Sequence, residues 1–213
     1  MPPRFFARFT AFTIPACAGL ILWLDQPLAR WVHAHAAGAA PFFGALTAYA
    51  DAGHGALMRP VLGVPALYLA LALAFAVGRW GLRRPGATWL LVGLLTHWAS
   101  PATANVLKGV VHRLRPEVLW GPGYAGLGFW AAGPHNDSFP SAHTAVYWSL
   151  FLPLAVAWPR ARLPLLGLPL LVAAGRLVLG AHYLSDVWAS GWLVVAYTAL
   201  FAQLFRAPRP GRA

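Results

Sequence analysis

Residues 163–205 read LPLLGLPLLVAAGRLVLGAHYLSDVWASGWLVVAYTALFAQLF. Two apolar runs, Leu163 to Gly180 and Asp186 to Phe205, flank a short polar join. Each run is near the ~20 residues a helix needs to cross the hydrocarbon core of a bilayer. Arg176, His182 and Asp186 lie across the join, and ionisable groups at such depth by default mark a site with a named partner. The stretch therefore predicts a membrane-embedded helical hairpin that carries chemistry at one end.

The same pattern recurs along the chain, with apolar runs near Phe9 to Leu24, Pro60 to Gly78, Ala87 to Leu107 and Ala142 to Trp158. Composition agrees: 59% of the 213 residues are hydrophobic, 10% are charged, and mean hydropathy is +0.60. The expectation is an all-α integral membrane protein, a bundle of six transmembrane helices formed by residues 1–213 as a single domain. Ala36 to Ala50, interrupted by Pro41 and Gly44, is too short for a crossing and reads as an interfacial helix. The longest loop, Arg113 to Ser141, is rich in Gly and Pro, and a loop of that length in a compact bundle is usually functional.

A formal charge of +11 raises the question of nucleic acid, but the 16 basic residues, all Arg save Lys108, are scattered between apolar runs and form no polar face. No nucleic-acid partner is expected. Arg4, Arg8, Arg79, Arg83, Arg84, Arg160, Arg162, Arg206, Arg209 and Arg212 fall on one side of a six-span topology, which the positive-inside rule makes cytoplasmic, with both termini there. All five acids, Asp25, Asp51, Glu117, Asp137 and Asp186, then fall on or near the opposite side. The apolar run after Arg4 and Arg8 is followed by no A-x-A-like site and reads as an uncleaved first span. Cys17 has no partner for an intramolecular disulfide. A bias to Arg, Ala and Gly suits a GC-rich bacterial genome, hence an inner membrane with a periplasmic site.

Three clusters carry chemistry. Lys108 ends the third run and Arg115 follows seven residues later, so a continuing helix would present both cations on one face until Pro116 ends it. Ser138-Phe139-Pro140-Ser141-Ala142-His143 precedes the fourth run; Ser141 reads as an N-cap, and the free amides of that helix start form an anion cradle beside His143. His182 and Asp186, four apart, would face the same way on one helix, the carboxylate holding one ring nitrogen and freeing the other. All three lie at the outer ends of spans three to six. A phosphate monoester needs its oxygens neutralised, a nucleophile in line and an acid for the departing alkoxide. Lys108, Arg115 and Arg176 suit the first, His182 the second and His143 the third.

In this order, Lys108-x6-Arg115-Pro116, Pro140-Ser141-Ala142-His143 and Arg176-x5-His182-x3-Asp186 resemble the type 2 phosphatidic acid phosphatase superfamily over roughly residues 100–190. The resemblance implies a six-helix membrane core and a lipid phosphatase that uses no metal and no cofactor. It implies His182 as the nucleophile that forms a phosphohistidine, Asp186 as its orienting partner, and His143 as acid and then base for water. Lys108, Arg115, Ser141, Ala142 through its amide, and Arg176 would grip phosphate. Ala142 stands where the family usually has Gly, and Gly175 where a Ser often precedes the Arg.

The implied partner is a lipid phosphate entering from the outer leaflet: polyprenyl diphosphate, phosphatidylglycerophosphate, phosphatidic acid or lipid A. Two other readings use the same residues. A phosphotransferase would pass the group to an acceptor other than water, and an anion or lipid transporter would move substrate without turnover. The remaining histidines, His33, His35, His54, His97, His112 and His135, have no fixed-spacing partners and read as interfacial or packing residues.

Overall fold

A computed structural model describes residues 3–121 and 126–208. Arg209 and Arg212, the side chain of Arg4 and part of the long loop lie outside the described residues. The chain is helical almost throughout. Helix α1 (Pro3–Gly19) runs through a wider π turn (Leu20–Leu24) into α2 (Asp25–Ala36). A 3-10 turn (Ala37–Ala39) leads to α3 (Ala40–Leu57). A two-strand hairpin, β1 (Pro60–Val61) and β2 (Val64–Pro65), precedes α4 (Ala66–Ala76). Then follow α5 (Thr88–Val111), α6 (Ala142–Ala157), α7 (Arg162–Val178) and α8 (Leu184–Leu204).

Two expected elements differ. The run from Pro60 does not begin as helix: Pro60 pairs with Pro65 and Val61 with Val64, around Leu62 and Gly63 at positive φ. Prolines at both ends of the hairpin and Gly63 in its turn favour that local solution over helix. The segment expected as a short interfacial helix from Ala36 to Ala50 is instead a helix from Ala40 to Leu57; Pro41 does not interrupt it, because it lies in the first turn, where its missing amide costs nothing. Three helical stretches among the described residues are long and apolar enough to cross a membrane: Phe6–Leu57, Pro159–Val178 and Leu184–Leu204. Ala66–Gly81 and Ala142–Ala157 are shorter apolar helices. The bundle thus has three candidate spans where the sequence analysis expects six.

Helices α5, α6 and α8 pack on one another, with α7 and α4 flanking, α1 on α8 and α3 on α7. Small residues fill the contacts: Ser100, Ala104, Ala145, Ser149, Ser190 and Thr198 are all buried. Such residues let helix backbones approach closely where no aqueous driving force exists between them. The outward faces keep large apolar side chains such as Trp23, Trp98, Leu163 and Leu204 exposed, as a lipid-facing surface requires.

At one end, Trp89, Val92, Ala157 and Ala202 form an apolar cluster, and Trp89 Nε1 donates to Pro208 O at 3.1 Å. The other end is polar. There Arg113, only 1% exposed, donates to Asp25 Oδ2 and Asp186 Oδ1, both at 2.7 Å, and to Ser185 Oγ at 2.7 Å. Its guanidinium lies between the rings of Phe129 and Tyr183, 4.7 and 4.2 Å from their centroids. This one side chain ties α2, the loop after α5 and α8 together.

Arg113→Leu is expected to cost about 3–5 kcal/mol, the range for leaving buried charges unpaired. Reversible unfolding in detergent measures it, and a loss below ~1 kcal/mol would show that the two carboxylates are hydrated in place.

Candidate active site

The polar end is built by helix termini. Helix α7 stops where Gly180 takes φ +63, and the amides of Ala181 and His182 both return to Arg176 O, at 3.1 and 3.2 Å. A left-handed glycine closing onto the last turn is a standard helix stop. Here it sets the five-residue interval between Arg176 and His182. His182 therefore lies before α8, whose N-cap is Tyr183, and not on the helix with Asp186 as the four-residue spacing suggests.

That changes how the imidazole is held. His182 Nδ1 lies 2.7 Å from Ser138 O and 3.7 Å from Asp186 Oδ2. The carbonyl is the hydrogen-bond acceptor, so Nδ1 carries the proton and Nε2 keeps its lone pair. Asp186 is engaged elsewhere, accepting from Tyr183 N at 2.7 Å, Ser138 Oγ at 2.6 Å and Arg113. It acts on the imidazole as a nearby charge and by holding Ser138. Burial pushes His182 below its ordinary value; Asp186 opposes this, while Lys108 and Arg115 reinforce it. The ring is neutral at neutral pH.

Lys108 lies in the last turn of α5, but the helix does not continue to Arg115: His112 turns left-handed at φ 46. The loop brings the guanidinium back, with Leu114 N donating to Gly128 O and Arg115 N to His135 O, both at 2.8 Å. Both cations then meet on Asp137. Arg115 grips its carboxylate through Nε and Nη2 at 2.8 and 2.9 Å, and Lys108 Nζ bonds its carbonyl and lies 3.7 Å from Oδ2. Burial alone would raise the Asp137 carboxyl, but the Arg115 bonds and the Lys108 charge outweigh it and hold it below the usual carboxylate range.

Ser141 caps α6 as expected, its Oγ accepting from Thr144 N at 3.4 Å and Thr144 Oγ1 at 3.0 Å. Ser190 Oγ lies 2.9 Å from both Ser141 O and Asp186 O, locking the starts of α6 and α8 together. Ala142 is the first helical residue, where its Cβ causes no strain. Arg176 donates to Thr47 Oγ1 at 2.7 Å, and its Nε is buried without a partner among the described residues. Gly175 has a structural reason: a Cβ there would come within 3.0 Å of the Phe43 ring.

Helix ends thus bring Lys108, Arg115, Ser141, Ala142, His143, Arg176, His182 and Asp186 to one end of the bundle. Lys108 and Arg176 are both within electrostatic reach of His143. Sequence reasoning missed Arg113, Asp25, Asp51, Tyr147 and the Ser138 carbonyl. Asp25 and Asp51 carried a usable signal, being carboxylates beside apolar runs; the carbonyl carried none. Several histidines without fixed-spacing partners in the sequence have hydrogen-bond partners in the fold: His54 Nε2 lies 3.1 Å from His97 Nε2, and His97 Nδ1 lies 3.0 Å from Ser149 Oγ. His135 pairs with Glu117 at 2.6 Å. All five acids of the chain are engaged by cations, imidazoles, hydroxyls or amides.

A site of converging cations and two imidazoles at the end of an apolar helical bundle defines a class: residues 86–209 match the family model of the PAP2 superfamily, and the chain belongs to that family. Among curated proteins it is similar to the Lipid A 1-phosphatase of Rhizobium etli, 29% identical over 108 residues, covering 49% of this chain and 47% of that protein. It is equally similar to the Lipid A 1-phosphatase of Rhizobium johnstonii, 29% identical over 108 residues, 49% of this chain and 44% of that one. The match thus spans about half the length of these relatives. No solved structure matches the chain.

Asp137 places an anion between the two cations that a bound phosphate would use. Asp137→Asn is expected to tighten binding of inorganic phosphate about fivefold, the equivalent of ~1 kcal/mol for a partly exposed ion pair. Calorimetry on detergent-purified protein reads the change; weaker binding would show that Asp137 instead holds the cations in place.

Proposed function

We propose that the protein is a membrane lipid phosphatase that hydrolyses a lipid phosphate through a phosphohistidine on His182. The observation that carries this is the 2.7 Å bond from His182 Nδ1 to Ser138 O, which leaves Nε2 free at a site shared with Lys108, Arg115 and Arg176. Nε2 attacks phosphorus as the bond to the lipid oxygen breaks, and His143 gives that oxygen its proton. His143 then takes a proton from water, whose oxygen attacks phosphorus and returns the electron pair to Nε2. The net reaction is lipid phosphate plus water to lipid alcohol plus inorganic phosphate. The cations and the amides at the start of α6 stabilise the charge on the transferring group, with no metal required.

The relatives favour lipid A bearing a 1-phosphate over the other candidate lipids. A six-span topology with cytoplasmic termini, in a bacterial inner membrane, would put the site at the periplasmic face, where such a headgroup can enter from the outer leaflet. The arginines of the α4–α5 and α6–α7 connections and the end of α8, on the end away from the site, support that orientation.

Purified protein is expected to release phosphate from lipid A in the presence of EDTA, and His182→Ala to lose at least 10³-fold, the scale of losing a covalent nucleophile. Turnover that persists without His182 sinks the mechanism; phosphate appearing on an added lipid acceptor instead of in solution identifies a transferase; flux without product identifies a transporter.

The pH dependence follows from burial. The attacking ring must be neutral, and burial holds it so, so the acid-side decline in kcat/KM should fall below the ordinary imidazole value of 6.5. A midpoint at or above 6.5 would show that His182 is not the group titrating.

A further inference from the structure

Helix α3 lies outside the family match yet runs across the site. Phe43, Thr47, Asp51 and His54 recur at helical spacing and form one face of it. The Phe43 ring packs 3.0 Å from where a Gly175 Cβ would be, Thr47 Oγ1 accepts from Arg176, and His54 reaches His97 of α5. Between them, Asp51 uses both carboxylate oxygens. Oδ2 lies 3.1 Å from His143 Nε2, and Oδ1 accepts from the phenol of Tyr147 at 2.7 Å. Tyr147 is buried and one turn along α6 from His143, so it fixes the carboxylate against the ring.

We propose that Asp51 is the positioning residue for His143: it holds Nε2–H, directs Nδ1 to the substrate oxygen, and supports the charged imidazole that gives up the proton. This rests on the phosphatase reading above, with His143 as the acid. It gives the second imidazole a carboxylate of its own from a part of the chain that carries no motif. The ionisable groups facing His143 are Asp51 from α3, Tyr147 from α6, Lys108 from α5 and Arg176 from α7. Asp51 is the only carboxylate among these four, and without it the charged groups left facing the ring are the two cations.

The test compares two substrates whose leaving groups differ. An alkyl lipid phosphate departs as a poor alkoxide that needs the proton from His143; p-nitrophenyl phosphate departs without it. Asp51→Asn should lower kcat/KM for the lipid phosphate about tenfold or more, part of the ~10²–10⁴-fold that general acid–base catalysis supplies. It should change kcat/KM for p-nitrophenyl phosphate less than about twofold, and lower the pH at which the alkaline limb falls. Tyr147→Phe, which leaves the carboxylate in place, should give the same substrate-selective pattern at smaller size, and it serves if Asp51→Asn does not fold. Equal losses on both substrates would make α3 merely structural, and no loss on either would release His143 from Asp51; both overturn the proposal. If His143→Ala keeps full activity on the lipid phosphate, the phosphatase mechanism itself fails and this proposal with it.

Discussion

The buried Arg113 guanidinium is the constraint on which the polar end of the bundle depends. A charge this deep is tolerable only when paired and hydrogen-bonded, and it recruits two carboxylates from helices that are otherwise far apart in sequence. Asp25 anchors the start of α2 through Arg113 and through Ser185, whose amide donates to it at 3.0 Å. Asp186 is held by Arg113 and in turn holds Ser138 and the Tyr183 amide. Arg113 O accepts from Ser138 N at 2.9 Å, so the same residue positions the backbone whose carbonyl orients His182. The His182 imidazole is set by a chain of contacts that leads back to Arg113.

The fixed intervals in the three motifs have separate physical origins. Between Arg176 and His182 the interval is one helix stop, with Gly180 supplying the left-handed turn. Between His182 and Asp186 it is a helix start, where the third residue of α8 caps the amide of Tyr183. Between Lys108 and Arg115 it is a helix stop followed by a loop that folds back on itself. None is a helical face, although two look like one in the sequence. The motif residues were legible because their spacing is local, and the reason for the spacing was not, because one-dimensional periodicity cannot distinguish i and i+4 on a helix from a turn of the same length.

The rest was illegible for a related reason. Helices α5 to α8 announced themselves by apolar length, and their observed bounds lie within a few residues of the expected ones. The N-terminal third did not. There Pro60, Gly63 and Pro65 break an apolar run that hydropathy joins, and α3 continues through an Ala- and Gly-rich stretch that hydropathy ends too early. Asp51 stands 92 residues from His143, just past the Ala36 to Ala50 stretch that reads as an interfacial helix. Arg113 stands two residues from a motif cation, and nothing local marks it as buried. Long-range polar pairing leaves no periodic trace.

The charge at this end has a consequence for substrate. Lys108, Arg113, Arg115 and Arg176 give four positive charges, and Asp25, Asp51, Asp137 and Asp186 give four negative ones, so with both imidazoles neutral the sum is zero. The arrangement is uneven: Arg113 is shared by two carboxylates, whereas Lys108 and Arg115 share one and the Arg176 side chain, among the described residues, bonds a hydroxyl. The surplus of positive charge lies around Lys108, Arg115 and Arg176, and the surplus of negative charge lies behind His182, at Asp25 and Asp186. A dianion entering a site of zero net charge favours uptake of a proton by the nearest base that can take one. His182 is fully buried with its Nδ1 proton committed to a carbonyl, and Asp51 favours charge on His143. If His143 is the acid proposed above, phosphate binding and its protonation would then be coupled through the charge at this end of the bundle.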